Sequence, residues 1–81
     1  MTTEAPPTPT LTLDARGLKC PMPIVRTAQQ IKAIASGELL EVLATDPGAV
    51  ADFAAWSRST GNAIVDSSID GGVYRFVLRR K

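Results

Sequence analysis

Apolar residues recur along this chain in two periods, and the switches between them set out the elements. Leu11, Thr12, Leu13 and Asp14 alternate apolar and polar, the period of a half-buried first strand that ends before Gly17. From Pro21 to about Ser36 the apolar residues Ile24, Val25, Ala28, Ile31, Ile34 and Ala35 return at three- and four-residue steps, which predicts a helix with one stripe. Pro21 and Pro23 fit its first turn, where amides lack intrahelical partners, and Gly37 supplies a stop. Glu38 to Thr45 is an apolar run of strand length broken by Glu41, the pattern of a central second strand. Asp46 and Pro47 then read as the cap and first position of a second helix, expected over Pro47 to about Thr60. Its inner stripe is Val50, Phe53 and Ala54 with Trp56 on the flank, and Gly61 ends it. Ala63, Ile64 and Val65 open a third strand that runs to Ile69. The tight turn Asp70, Gly71, Gly72 leads into a fourth, where Tyr74, Phe76 and Leu78 alternate with Arg75, Val77 and Arg79.

The order β-α-β-α-β-β predicts an α/β two-layer sandwich of the α+β kind, with both helices on one face of a four-stranded mixed sheet. Tyr74, Phe76 and Leu78 should meet the helices, leaving Arg75, Val77 and Arg79 on the open face. A chain of 81 residues holds one domain, placed at 11–81, because two would need well over ~100 residues. Residues 1–10 carry Pro6, Pro7 and Pro9 among threonines and are expected to form a flexible tail.

Composition narrows the partners more than the fold. Nine Lys and Arg against eight Asp and Glu give a net charge of +1, so no bulk field draws the chain to nucleic acid or an anionic membrane. No apolar run approaches the ~20 residues of a membrane-spanning helix, and the first ten residues lack a basic and then apolar leader. The expected compartment is the cytoplasm. Arg79, Arg80 and Lys81 read as a solvated basic end, and direct nucleic-acid contact is not expected.

Candidate chemistry concentrates at Cys20, the only cysteine, in a chain without histidine. A Cys-His hydrolase dyad is thereby excluded within the chain, a C-x-x-C dithiol is absent, and no metal site is expected. Cys20 lies between Lys19 and the start of the first helix, where free amides and the macrodipole favour an anion. Arg16, Lys19 and Arg26 would add positive charge, so an activated thiolate is one reading. A small buried hydrophobe is the other. If the first two strands are parallel neighbours, Asp46 emerges on the same edge as Cys20, where it would shape partner contacts while opposing thiolate formation.

The run Leu13, Asp14, Ala15, Arg16, Gly17, Leu18, Lys19, Cys20, Pro21, Met22, Pro23 resembles the D-x-x-G-L-x-C-P-x-P signature of the TusA (SirA-like) sulfur-carrier family. The likeness extends through Thr45, Asp46 and Pro47, through Trp56, and to Gly72, Val73, Tyr74, Arg75 and Phe76. It implies a fold similar to the C-terminal domain of bacterial translation initiation factor three. It also implies a Cys20 that accepts sulfane sulfur as a persulfide from a cysteine desulfurase or rhodanese, with Asp14, Gly17, Pro21 and Pro23 as supporting motif residues. The sulfur would pass to a further relay protein, in tRNA thiolation, molybdenum cofactor supply or sulfur oxidation, with no cofactor beyond the covalently carried sulfur. Arg16, Lys19, Arg26 and Asp46 are then the expected partner-binding rim. Many relatives have Gly-His after the second helix, where this chain has Gly61 and Asn62. The competing class is a non-catalytic regulatory or RNA- and protein-binding module using the open sheet face.

Overall fold

Parallel pairing of the first two strands places both strand-to-helix turns on one edge of the molecule. The computed structural model describes residues 8–81. Its elements are β1 (Leu11–Ala15), α1 (Met22–Gln30), a single 3-10 turn (Ile31–Ala33), β2 (Leu39–Ala44), α2 (Ala49–Thr60), β3 (Ala63–Asp70) and β4 (Val73–Arg79). The four-stranded sheet has the order β1-β2-β4-β3; β1 and β2 are parallel, and β4 is antiparallel to both β2 and β3. Two helices on one face of a mixed sheet is the architecture read from the sequence. The tail expected at residues 1–10 lies mostly outside the described residues, and Thr10 already donates its N–H to the Leu39 carbonyl at 2.8 Å.

The core forms where the inner sheet face meets the helix stripes. Leu40, Val42, Ala44, Phe76 and Leu78 are buried from the two central strands, with Ala15 from β1. Phe53 of α2 stacks on Phe76, ring centroids 4.5 Å apart, and meets Trp56 edge-on at 6.4 Å. Burial of such a side chain contributes about 1.5–3 kcal/mol, so this aromatic contact clamps α2 to β4. The chain's last residues close the sheet end remote from Cys20. Arg80 N–H donates to the Glu38 carbonyl and Lys81 N–H to Asn62 Oδ1. Arg80 also donates its guanidinium to the Ile34 carbonyl, so the basic end expected to be a solvated tail is pinned to the domain. Gly61 has φ +83°, a backbone that L side chains rarely adopt, so this helix stop favours glycine.

Three details of the helices differ from the sequence reading. The first helix is α-helical only to Gln30 and then tightens into the 3-10 turn, where a three-residue repeat brings Ile31 and Ile34 onto one side. Its buried stripe is Pro23, Thr27, Ile31 and Ile34, whereas Val25 and Ala35 are exposed. The second helix starts at Ala49 rather than Pro47, with Gly48 as cap residue. That start turns Ala49, Phe53 and Trp56 inward and leaves Val50 51% exposed on the rim.

The open sheet face is covered by its own side chains. Thr12 donates to Glu41, and Arg75 pairs with both Glu41 and Asp66, a polar row that crosses all four strands. Glu41 and Asp66 flank Val77 in the sheet register, so the Arg75 side chain reaches along β4 across Val77. Val77 is only 3% exposed on a face with no helix.

Candidate functional site

The site is built by cross-bracing two turns. Gly17 N–H donates to Thr45 Oγ1 at 2.9 Å, and Cys20 N–H donates to Asp46 Oδ2 at 2.9 Å. Adjacent residues after β2 thus hold both ends of the Gly17–Cys20 segment. Gly17 has φ +81°, the left-handed backbone that lets the chain leave β1 sharply, and Leu18 N–H returns to the Ala15 carbonyl at 3.3 Å. An open cleft of ≈ 450 Å³ runs between the two turns, lined by Gly17, Leu18, Lys19, Thr45, Asp46 and Pro47. Cys20 sits beside it, exposed and unpaired by any disulfide.

The helix start has few amides left for a sulfur anion. Pro21 and Pro23 carry none, Met22 N–H donates to the Lys19 carbonyl at 2.8 Å, and Val25 N–H donates to the Pro21 carbonyl at 3.1 Å. The Cys20 amide itself is taken by Asp46. Hydrogen bonding to Asp52 in the first turn of α2, then desolvation, then the negative charges of Asp52 and Asp46 push the Cys20 thiol above its ordinary value. The direction is opposite to the activation expected from a helix N-terminus flanked by basic residues. The negative charge beside the thiol outweighs a helix start whose Cys20, Met22 and Val25 amides are already occupied.

The expected cations are placed elsewhere. Arg16 forks onto Asp14, Nε to Oδ1 at 2.8 Å and Nη2 to Oδ2 at 2.9 Å. This bidentate pair, with the Arg16 N–H also donating to Oδ1, lowers the Asp14 carboxyl to about 2 and keeps the guanidinium occupied at the turn. Lys19 and Arg26 are exposed beside the site. Asp14 and Gly17 therefore shape the turn, Pro21 precedes α1 as its cap residue, and Pro23 is buried in its first turn. Asp46 lies where parallel strands predict. It serves Cys20 rather than α2, keeping only a 3.4 Å contact from Gly48 N–H and no formal cap of the helix.

Two residues of the site escaped the sequence reading. Thr45 read as the last residue of a strand, and Asp52 was not singled out. The signal available for both was the parallel arrangement of β1 and β2, which stacks the two turns. The same edge also carries apolar surface. β4 begins opposite the end of β2, so the β3–β4 hairpin tip projects on this side. Ile69 is 62% exposed there, and it lines with Val50, Tyr74 and Phe76 a groove of ≈ 260 Å³.

Comparison with known proteins covers nearly the whole of the described domain. The family described as Sulfurtransferase TusA matches residues 11–80. The sulfur carrier protein TusA of Allochromatium vinosum is 46% identical over 68 residues, which is 84% of this chain and 90% of that protein. A putative sulfur carrier protein of Neisseria meningitidis serogroup A is 46% identical over 70 residues, covering 86% of this chain and 95% of the relative. Among solved structures, a SirA-like protein from Desulfitobacterium hafniense superimposes with a TM-score of 0.76 at 21% identity, over 86% of this chain and 96% of the other, and shares the fold. With the braced turn, the single exposed thiol and a match that runs from β1 past the end of β4, the chain belongs to the TusA sulfurtransferase family.

Proposed function

We propose that this protein is a sulfur carrier that takes sulfane sulfur onto Cys20 as a persulfide and hands it to an acceptor protein. The observation that carries the reading is the placement of the chain's only cysteine, exposed on an edge turn braced from two sides. A transferable sulfur needs one reachable thiol. It also needs no second thiol nearby, since a neighbour would release the sulfur by closing a disulfide. The donor on this reading is a cysteine desulfurase or rhodanese. The exposed apolar residues Met22, Val50 and Ile69, on the same edge as the thiol, suit docking against such partners. A non-catalytic RNA-binding role draws no comparable support from the open face, where Arg75 is already paired with Glu41 and Asp66.

The test is intact-mass spectrometry after incubation with a cysteine desulfurase and cysteine. The expected result is a gain of one sulfur atom that is lost on reduction and absent from Cys20→Ala. No gain with several desulfurases and rhodaneses would overturn the assignment.

A further inference from the structure

Because Cys20 is exposed, the direction of its Cα–Cβ bond, and with it the reach of the sulfur, is set by the backbone. That backbone leaves β1 through Gly17 at φ +81°, the residue type with the widest choice of conformations, so the turn has little local reason to keep one shape. What holds it comes from across the sheet. Thr45 Oγ1 accepts the Gly17 N–H at 2.9 Å, and Asp46 Oδ2 accepts the Cys20 N–H at 2.9 Å. These acceptors are consecutive residues just past β2, and the parallel pairing of Ala15 with Ala44 sets the offset between the two turns. The same side chains wall the ≈ 450 Å³ cleft beside Cys20, so the thiol and the cleft keep one spacing.

We propose that Thr45 and Asp46 are positioning residues for sulfur transfer, acting through the Gly17 and Cys20 amides to hold the Cys20 sulfur beside the cleft. The proposal rests on the sulfur-carrier reading above. On loading, Cys20 ionises and its proton passes to solvent. The thiolate forms a bond to the outer sulfur of a donor persulfide as the donor's S–S bond breaks, and the electron pair leaves on the donor's inner sulfur, with no net oxidation. The attacking, transferred and leaving sulfurs lie in line during that displacement, so the attacking atom has a narrow approach, and a misplacement of about 1 Å can slow such a step about a hundredfold. Asp46 acts here as an acceptor and not as a charge. Its charge opposes the thiolate, whereas its hydrogen bond fixes the residue that bears it.

Paired variants separate the two effects. Asp46→Asn keeps an oxygen for the Cys20 amide and loses the charge, and Asp46→Leu loses both; Thr45→Ser keeps the hydroxyl that Thr45→Val removes. Loading from a persulfide-bearing cysteine desulfurase is followed by intact mass at several donor concentrations. Asp46→Leu and Thr45→Val should lower the maximal rate about tenfold to a hundredfold at a little-changed half-saturating concentration, while Asp46→Asn and Thr45→Ser stay within about threefold of the natural chain. Iodoacetamide labelling against pH should show the thiol pKa falling alike in Asp46→Asn and Asp46→Leu. A maximal rate that also changes alike in these two overturns the proposal, as does an equal rise in their half-saturating concentrations, which would make Asp46 a charge contact for the donor. A lower urea midpoint with an undiminished maximal rate in Asp46→Leu and Thr45→Val overturns it too, since the brace would then be structural only. Should those variants fail to fold, amide hydrogen exchange of the natural chain decides: the Gly17 and Cys20 amides should be protected both as thiol and as persulfide, and exchange at the free-peptide rate in either form overturns the role. A natural chain that protects both amides yet takes sulfur from no desulfurase or rhodanese removes the carrier reading itself, and the positioning role with it.

Discussion

Thr27 should be a place where the domain gains stability by losing a polar group. Its side chain is fully buried on the inner stripe of α1, between Pro23 and Ile31, and among the described residues its Oγ1 has no hydrogen-bond partner. A buried hydroxyl left unsatisfied costs about 1–3 kcal/mol. Thr27→Val keeps the branched shape, opens no cavity, and changes helix propensity little. The expected gain is about 1–2 kcal/mol, which for a domain of this size raises Tm by about 5–10 °C. Urea unfolding followed by circular dichroism measures it as a higher midpoint at unchanged slope. Thr27→Ser is the counterpart, since it keeps the hydroxyl and deletes the methyl, and it should lose about 1 kcal/mol. A Thr27→Val midpoint at or below that of the natural chain would refute the reasoning, because it would mean that the hydroxyl is satisfied in solution.

Further outcomes follow from the site. A carbon-detected NMR titration should place the Asp14 carboxyl near its value of about 2, and Arg16→Ala should return it toward 3.8. Because this carboxyl is lowered by folding, the pairing contributes fully above its unfolded value and is lost as the pH falls through about 2; a midpoint unmoved by Arg16→Ala would contradict the fork. Ile69→Lys should slow sulfur transfer from a protein donor severalfold while leaving iodoacetamide labelling of Cys20 as it was. Equal transfer rates would show that the hairpin tip is outside the docking edge.

Most of the fold was legible because its periods are clean. β4 alternates Tyr74, Phe76 and Leu78 against Arg75, Val77 and Arg79, and the structure puts the first set toward the helices. What periodicity missed was a matter of single residues. Thr27 is polar and so dropped out of a stripe that it in fact occupies, which shifted the inferred face of α1 toward Val25. Val50 is apolar and so was drawn into the stripe of α2, although a start at Ala49 rotates it to the rim. Val77 fell on the open face as read, but its burial depends on Arg75 bridging Glu41 and Asp66, a contact between three strands that no local pattern encodes.

The sequence placed Asp46 on the edge of Cys20 and expected it to oppose the thiolate, while the basic neighbours were expected to favour it; Asp46 also shows why its second reading, as a helix cap, was incomplete. Asp46 before Pro47 carries the local signature of a helix cap, a reading that counts only amides within its own helix. Its carboxylate has a limited number of short bonds to give, and the parallel neighbour β1 brings a competing donor, the Cys20 N–H, to 2.9 Å. The competing amide wins, α2 begins two residues late, and a negative charge is fixed beside the thiol. From there the chemistry changes character. A helix N-terminus with free amides favours a thiolate; this one, with two prolines and the amides of Cys20, Met22 and Val25 engaged, stands beside carboxylates that push the thiol up. Such a thiol should react more slowly with adventitious electrophiles than an activated thiolate, which iodoacetamide labelling at pH 7 would show as a rate no higher than that of a free cysteine.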